Sequence, residues 1–123
     1  MLLRLDFSSD VPIYQQIRDQ VVVAIASGQL APGDKLPTIR TLAEESGINM
    51  MTASKAYQLL KTEGYITTGR RDGASVRIPT AGAAPKTVEG LHLRLCELRL
   101  AGMERTEILE LCARLLDKEV SEK

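Results

Sequence analysis

The sequence of 123 residues contains no tryptophan, one phenylalanine, one histidine and two cysteines, and its 16 basic residues are balanced by 16 acids. Each shortage removes a class of function. The two cysteines, Cys96 and Cys112, do not have the spacing of a metal or disulfide framework. They read as small core or interface residues, with a redox pair as the less favoured alternative. The single histidine, His92, reads as a surface or packed residue rather than a ligand. No carboxylate pair, Ser/His/Asp set or phosphate-cradling loop is visible, so neither an enzyme nor a cofactor or metal is expected. No apolar run approaches the ~18–20 residues that span a bilayer. The opening MLLRLDFSSD has neither the long apolar stretch nor the small-residue cleavage site of a signal peptide. These absences lead to the expectation of a cytoplasmic chain with reduced thiols and no membrane contact.

A net charge of zero weighs mildly against a nucleic-acid partner, but its distribution matters more than its sum. Between Lys35 and Arg77 lie Lys35, Arg40, Lys55, Lys61, Arg70, Arg71 and Arg77 against Glu44, Glu45, Glu63 and Asp72. Seven cations less four anions make that stretch +3. From Thr80 onward, seven cations and eight anions make the tail −1.

Hydrophobic spacing and punctuation predict the elements. Leu3 and Leu5 alternate with polar residues, as in a brief strand. Pro12 to Ser27 reads as a helix with Pro12 in its first turn, an apolar face of Ile13, Ile17, Val21 and Ile25, and Gly28 as its stop. A loop, GQLAPGDKLP, follows. Thr38 can cap a second helix reaching about Ser46, with Ile39, Leu42 and Ala43 inward. Gly47 sits where the chain must turn sharply, and Asn49 caps a third helix to about Thr62. Ala53, Ala56, Tyr57 and Leu60 form its inner face, which makes Tyr57 a core residue rather than a stacking platform. Tyr65–Thr68 and Ala74–Ile78 are β-prone runs joined by Gly69–Gly73. A small-residue linker leads to two amphipathic stretches, Thr87 to about Leu100 and Arg105 to about Lys118, separated by Gly102.

The predicted fold is therefore mainly α with a small β wing. Residues 1–79 form a winged helix-turn-helix domain, 80–86 a linker and 87–123 a two-helix hairpin. In a helix-turn-helix the second helix enters the DNA major groove with its N-terminal residues leading. That places Asn49, Met50, Met51, Thr52, Ser54 and Lys55 at the reading edge, Arg40 on the backbone, and Arg70 and Arg71 at the tip of a wing. Two arginines in a loop are commonly no more than solvated charge, and only the order of elements favours a DNA role. Met50 and Met51 either pack against the wing or face the groove.

The runs Pro12-Ile13-Tyr14-Gln15-Gln16-Ile17, Ile25-Ala26-Ser27-Gly28 and Pro32-Gly33-Asp34-Lys35-Leu36-Pro37-Thr38-Ile39-Arg40-Thr41-Leu42-Ala43 resemble the GntR family of bacterial regulators. The resemblance continues through Ile48-Asn49, Thr52, Ser54-Lys55-Ala56-Tyr57 and Glu63-Gly64-Tyr65-Ile66, and covers about residues 11–78. The Ser-Lys-Ala-Tyr run and a tail of about forty residues resemble the YtrA subgroup. The resemblance implies DNA contacts from Thr38 and Arg40, from Asn49, Met50, Met51, Thr52 and Lys55, and from Arg70, Arg71 and Gly73. It further implies a tail that serves as a dimerisation arm, and control of an operon carrying transporter genes. Met50 and Met51 depart from the polar or basic residues usual in the family. A methionine contacts a thymine methyl but makes no bidentate bond, so the familiar operator need not apply.

The tail carries apolar residues on more than one face of each helix. A hairpin that short cannot bury both faces, so a homodimer is expected through Val88, Leu91, Leu95, Leu98, Ile108, Leu111, Cys112 and Leu115. The expected function is a dimeric repressor on a pseudo-palindromic operator in double-stranded promoter DNA. A small-molecule effector between tail and DNA-binding part is left open. The alternative is a winged helix used for protein contacts without specific DNA binding.

Overall fold

The computed structural model describes residues 3–69 and 73–121, with side chains as far as residue 117. Seven elements follow in order: α1 (Ile13–Ala26), α2 (Ile39–Ser46), α3 (Met50–Glu63), β1 (Ile66–Gly69), β2 (Gly73–Val76), α4 (Pro85–Leu100) and α5 (Arg105–Ser121). They fall into two compact units, Met1–Pro79 and Thr80–Lys123.

The helix boundaries of the first unit are set by local capping. Thr38 Oγ1 accepts the Thr41 N–H at 3.1 Å and opens α2. Asn49 Oδ1 accepts the Thr52 N–H at 2.8 Å and opens α3. Each such cap contributes about 1 kcal/mol. Gly47, in the left-handed conformation at φ 69°, ends α2, and the Ile48 N–H returns to the Ala43 carbonyl. This is the tight turn of a helix-turn-helix, and a side chain at Gly47 would be strained whatever the space around it. Pro12 caps α1 from outside the helix rather than occupying its first turn.

Ile17 and Val21 of α1, Leu42 and Ala43 of α2, and Ala53, Ala56, Tyr57 and Leu60 of α3 close on Ile66, Ala74 and Val76 of the wing. Strand β1 pairs antiparallel with β2 in the register Ile66↔Val76 to Gly69↔Gly73. The sequence reads as a loop between α1 and α2, yet part of it extends this sheet. Lys35 bridges Ser75. The Leu36 N–H donates to the Ala74 carbonyl at 2.9 Å and the Val76 N–H to the Asp34 carbonyl at 2.8 Å. Leu36 is buried there. Turn residues at Pro32-Gly33 dominate the local signal, whereas the pairing is made with residues some forty positions away.

The expected strand at Leu3–Leu5 is not a sheet strand either. It is extended, and its backbone is paired by two side-chain amides of α1. Gln20 accepts the Arg4 N–H and donates to the Arg4 carbonyl, both at 2.8 Å. Gln16 accepts the Asp6 N–H at 2.8 Å and donates to the Asp6 carbonyl at 2.9 Å. Alternate residues of an extended chain present their polar groups to one side, and glutamines four apart lie on one helix face. The segment is thereby held with Leu3 and Leu5 against the core.

In the second unit, α4 packs against α5 across the turn at Gly102. Helix α4 begins at Pro85, inside the stretch read as linker, because proline is tolerated in a first turn.

Candidate nucleic-acid interface

Helix α3 is fixed on its inner side and free on its outer side. Its N-terminal turn is set by the Asn49 cap, so the predicted reading residue Asn49 already commits Oδ1 to the protein. Met51 is 83% exposed and Met50 is 50% exposed. Neither is packed into the core. Ser54 is exposed and Thr52 half-buried. Arg40, in the first turn of α2, is exposed, as is the capping Thr38.

Lys55 is held by a contact the sequence did not suggest. Its Nζ lies 4.2 Å from the centroid of the Tyr14 ring, in the first turn of α1. A cation over an aromatic face is attracted by the ring quadrupole. The contact also spares the long side chain part of the rotamer freedom it would lose on meeting a ligand. No local pattern in the sequence links Tyr14 to a lysine two helices later.

Two further contacts fix how α3 is carried. The Tyr57 hydroxyl donates to the Pro37 carbonyl at 2.6 Å, joining α3 to the residue that precedes the α2 cap. Burial pushes this phenol up to about 12, since the phenolate is costly in a core. At the far end of α3, Glu63 receives Arg18 of α1 through two bonds, Nε–Oε1 at 2.8 Å and Nη2–Oε2 at 3.3 Å. Arg18 also meets Asp19 at 3.0 Å and lies over the Tyr65 ring at 5.7 Å. Partial burial alone would lower the Arg18 pKa, and its bonds to Glu63 and Asp19 outweigh that and raise it.

In the wing, Gly73 faces Gly69 in register and has φ 70°, so it takes the chain out of the tip in a conformation that suits glycine. Arg70 and Arg71 lie outside the described residues. Of the residues expected in a dimer interface, Ile108 is buried within the chain, and Leu95, Leu98, Leu111 and Cys112 are half-buried. Val88, Leu91 and Leu115 remain exposed, as do Leu93, Leu100, Leu109 and Leu116. Both thiols are free, and Cys96 Sγ lies 3.6 Å from His92 Nε2. Among the described residues no group of three or more metal-ligating side chains occurs. No helix is long and apolar enough to cross a membrane, again among the described residues.

The profile of the bacterial regulatory proteins of the gntR family matches residues 13–76, which takes in α1 to β2. The chain belongs to the GntR family. Within that family it is 39% identical over 89 residues to the HTH-type transcriptional repressor YtrA of Bacillus subtilis, an overlap of 72% of this chain and 66% of YtrA. Among solved structures, YtrA from Sulfolobus acidocaldarius, a GntR-family transcription factor, is similar at 35% identity and a TM-score of 0.60, covering 94% of this chain and 97% of that one. A transcriptional antiterminator from Listeria monocytogenes superposes with a TM-score of 0.81 at 28% identity, covering 98% and 93%. The DNA-binding domain of AraR, solved in complex with operator ORX1, matches 62% of this chain with a TM-score of 0.55 and 25% identity. The GntR match and the likeness to two YtrA proteins agree with the YtrA-type resemblance of the sequence. The chain spans less than two thirds of the length of the curated relatives it matches first, from 17% to 66% of each.

Proposed function

We propose that this chain is a sequence-specific DNA-binding transcription regulator, acting as a dimeric repressor on a pseudo-palindromic promoter site. The observation that carries the reading is the leading edge of α3. It is presented outward by a capped helix-turn-helix, with Met50, Met51, Ser54 and Lys55 exposed and Arg40 exposed on the preceding helix. A helix so placed fits the major groove, where each base pair shows its own pattern of donors, acceptors and methyl groups. The operator complex of the similar AraR domain supports double-stranded DNA as the partner. Thr38, Arg40 and Lys55 act on phosphates, and Asn49, Met50, Met51, Thr52 and Ser54 face base edges. Arg70, Arg71 and Gly73 form the wing contact.

The second unit is the dimerisation arm. Its exposed leucines, Leu100 and Leu116 above all, are a surface that water does not favour, and a second copy covers them most economically. Two linked reading heads then address two half-sites about one helical turn apart or a multiple of it. The chain performs no chemistry of its own in this reading.

The test is a fluorescence-anisotropy titration of the purified chain on the DNA upstream of its own gene, against random-sequence competitor, at two salt concentrations. Tight, competitor-resistant and salt-sensitive binding is expected, since phosphate contacts release counterions. Binding no tighter than to random DNA would overturn the reading and leave a winged helix used for protein contacts.

A further inference from the structure

The exposure of Met50 and Met51 has no role in the fold. Neither belongs to the core, and Met51 at 83% exposure is among the most open large apolar side chains of the first unit. Both sit in the first turn of the helix that leads into the groove. The only other methionine among the described residues, Met103, is half-buried in the turn between α4 and α5. The two open thioethers are therefore concentrated where the chain would meet bases.

We propose that Met50 and Met51 are a modification site, at which conversion to methionine sulfoxide by a hydroperoxide releases the chain from its operator. The inference rests on the DNA-binding reading above. In the step, the thioether sulfur attacks the peroxide oxygen, an S–O bond forms and the O–O bond breaks. Sulfur is oxidised by two electrons, and the departing oxygen is reduced and, after taking up a proton, leaves as water from hydrogen peroxide or as the alcohol from an organic hydroperoxide. Access governs which sulfur reacts, so Met51 is oxidised before Met50. A thioether suits the methyl group of thymine, being apolar and polarisable. A sulfoxide is polar and accepts hydrogen bonds without donating any. It meets a groove edge dominated by acceptors, namely purine N7, guanine O6 and thymine O4. The apolar contact is lost and little replaces it. Phosphate contacts from Lys55 and Arg40 are untouched, so binding to random DNA persists.

The experiment oxidises the full chain with hydrogen peroxide until peptide mass mapping shows one added oxygen on each of Met50 and Met51. Dithiothreitol then returns any disulfide or sulfenic acid at Cys96 or Cys112 to the thiol, and the same mass mapping checks that neither cysteine carries a sulfinic or sulfonic acid. Affinity for the upstream promoter fragment is expected to fall about tenfold, the effect of roughly one mismatched base pair, with affinity for random DNA nearly unchanged. Methionine sulfoxide reductases restore it. A Met50→Leu/Met51→Leu variant, whatever its starting affinity, is compared with itself before and after peroxide and shows no fall in promoter binding, with circular dichroism checking its fold. Unchanged promoter affinity with both sulfurs oxidised would overturn the proposal, as would an equal loss in the leucine variant. If the unoxidised chain does not prefer its promoter, the DNA-binding reading falls and takes this proposal with it. Tight binding that ignores oxidation sinks this proposal alone.

Discussion

The Tyr57 hydroxyl hydrogen-bonds the Pro37 carbonyl across 2.6 Å, so the inner face of α3 holds the entrance of α2. The carbonyl belongs to the residue just ahead of the Thr38 cap, and Arg40 follows two residues on. Tyr57→Phe leaves that carbonyl without its partner, at a cost of about 1–3 kcal/mol in stability. It has a pH signature as well. The folded phenol keeps its proton up to about 12, whereas in the unfolded chain tyrosine ionises near 10. Between those values the unfolded state sheds a proton that the folded state retains, so stability falls as pH rises, and below pH 10 this group contributes no slope. The loss by pH 12 is about 2 kcal/mol. Urea unfolding of wild type and Tyr57→Phe from pH 8 to 12 should show curves that converge above pH 10, and parallel curves would refute the assignment.

At the other end of α3, the paired hydrogen bonds from Arg18 to Glu63 join α1 to the last residue of α3. Both side chains retain some solvent contact, so its worth is modest. Glu63→Gln should cost about 1 kcal/mol. For a unit of this size that lowers the melting temperature by about 4–8 °C. Calorimetry at low and high salt should show the deficit shrinking as salt screens the pair, and a salt-independent deficit would point to packing instead.

The contact of Lys55 with Tyr14 predicts a separation of face from hydroxyl. Tyr14→Phe keeps the ring and should leave promoter affinity unchanged. Tyr14→Leu keeps bulk but loses the quadrupole, and should weaken binding about two- to fivefold. Anisotropy titrations decide it, and equal behaviour of the two variants would remove Tyr14 from any part in DNA binding.

Why some of this was legible in the sequence and some was not follows from the range of each interaction. Thr38, Gly47 and Asn49 mark the helix-turn-helix because a cap or a left-handed turn is satisfied within three or four residues. The inner faces of α1 and α3 were legible for the same reason, as a repeat along one element. The amide pairing of Gln16 and Gln20 with residues 4–6, the bridge of Lys35 to Ser75 and the seat of Lys55 on Tyr14 each join positions far apart in the chain. Nothing in the composition of either partner announces them. The exposed methionines were visible as an oddity of pattern, but their openness depends on where α1, α2 and the wing leave space. In the tail, the alternation of leucines was plain, while the division between hairpin seam and open face required the packing of α4 on α5.

Arg40 lies exposed in the first turn of α2, and in the proposed reading it meets phosphate and reads no base. Arg40→Ala should weaken promoter and random DNA by similar factors. It should also reduce the slope of log affinity against log salt by about 1. A loss confined to the promoter would mean that Arg40 reads sequence instead.

The arm is best tested on leucines that the single chain leaves open. Leu91 on α4 and Leu115 on α5 are 56% and 54% exposed, so a charge at either is solvated in the monomer and leaves the hairpin intact. In a dimer the same charge would lie in an apolar interface, where desolvation without a partner is costly. Leu91→Glu or Leu115→Glu should therefore give a folded monomer in sedimentation velocity, with circular dichroism matching the parent. Tight promoter binding should be lost with it, because one head alone holds one half-site. Binding to random DNA falls less, each head keeping its own phosphate contacts. A stable dimer in both variants would place the interface elsewhere, and a wild-type monomer that still binds its promoter tightly would remove two-fold symmetry from the account.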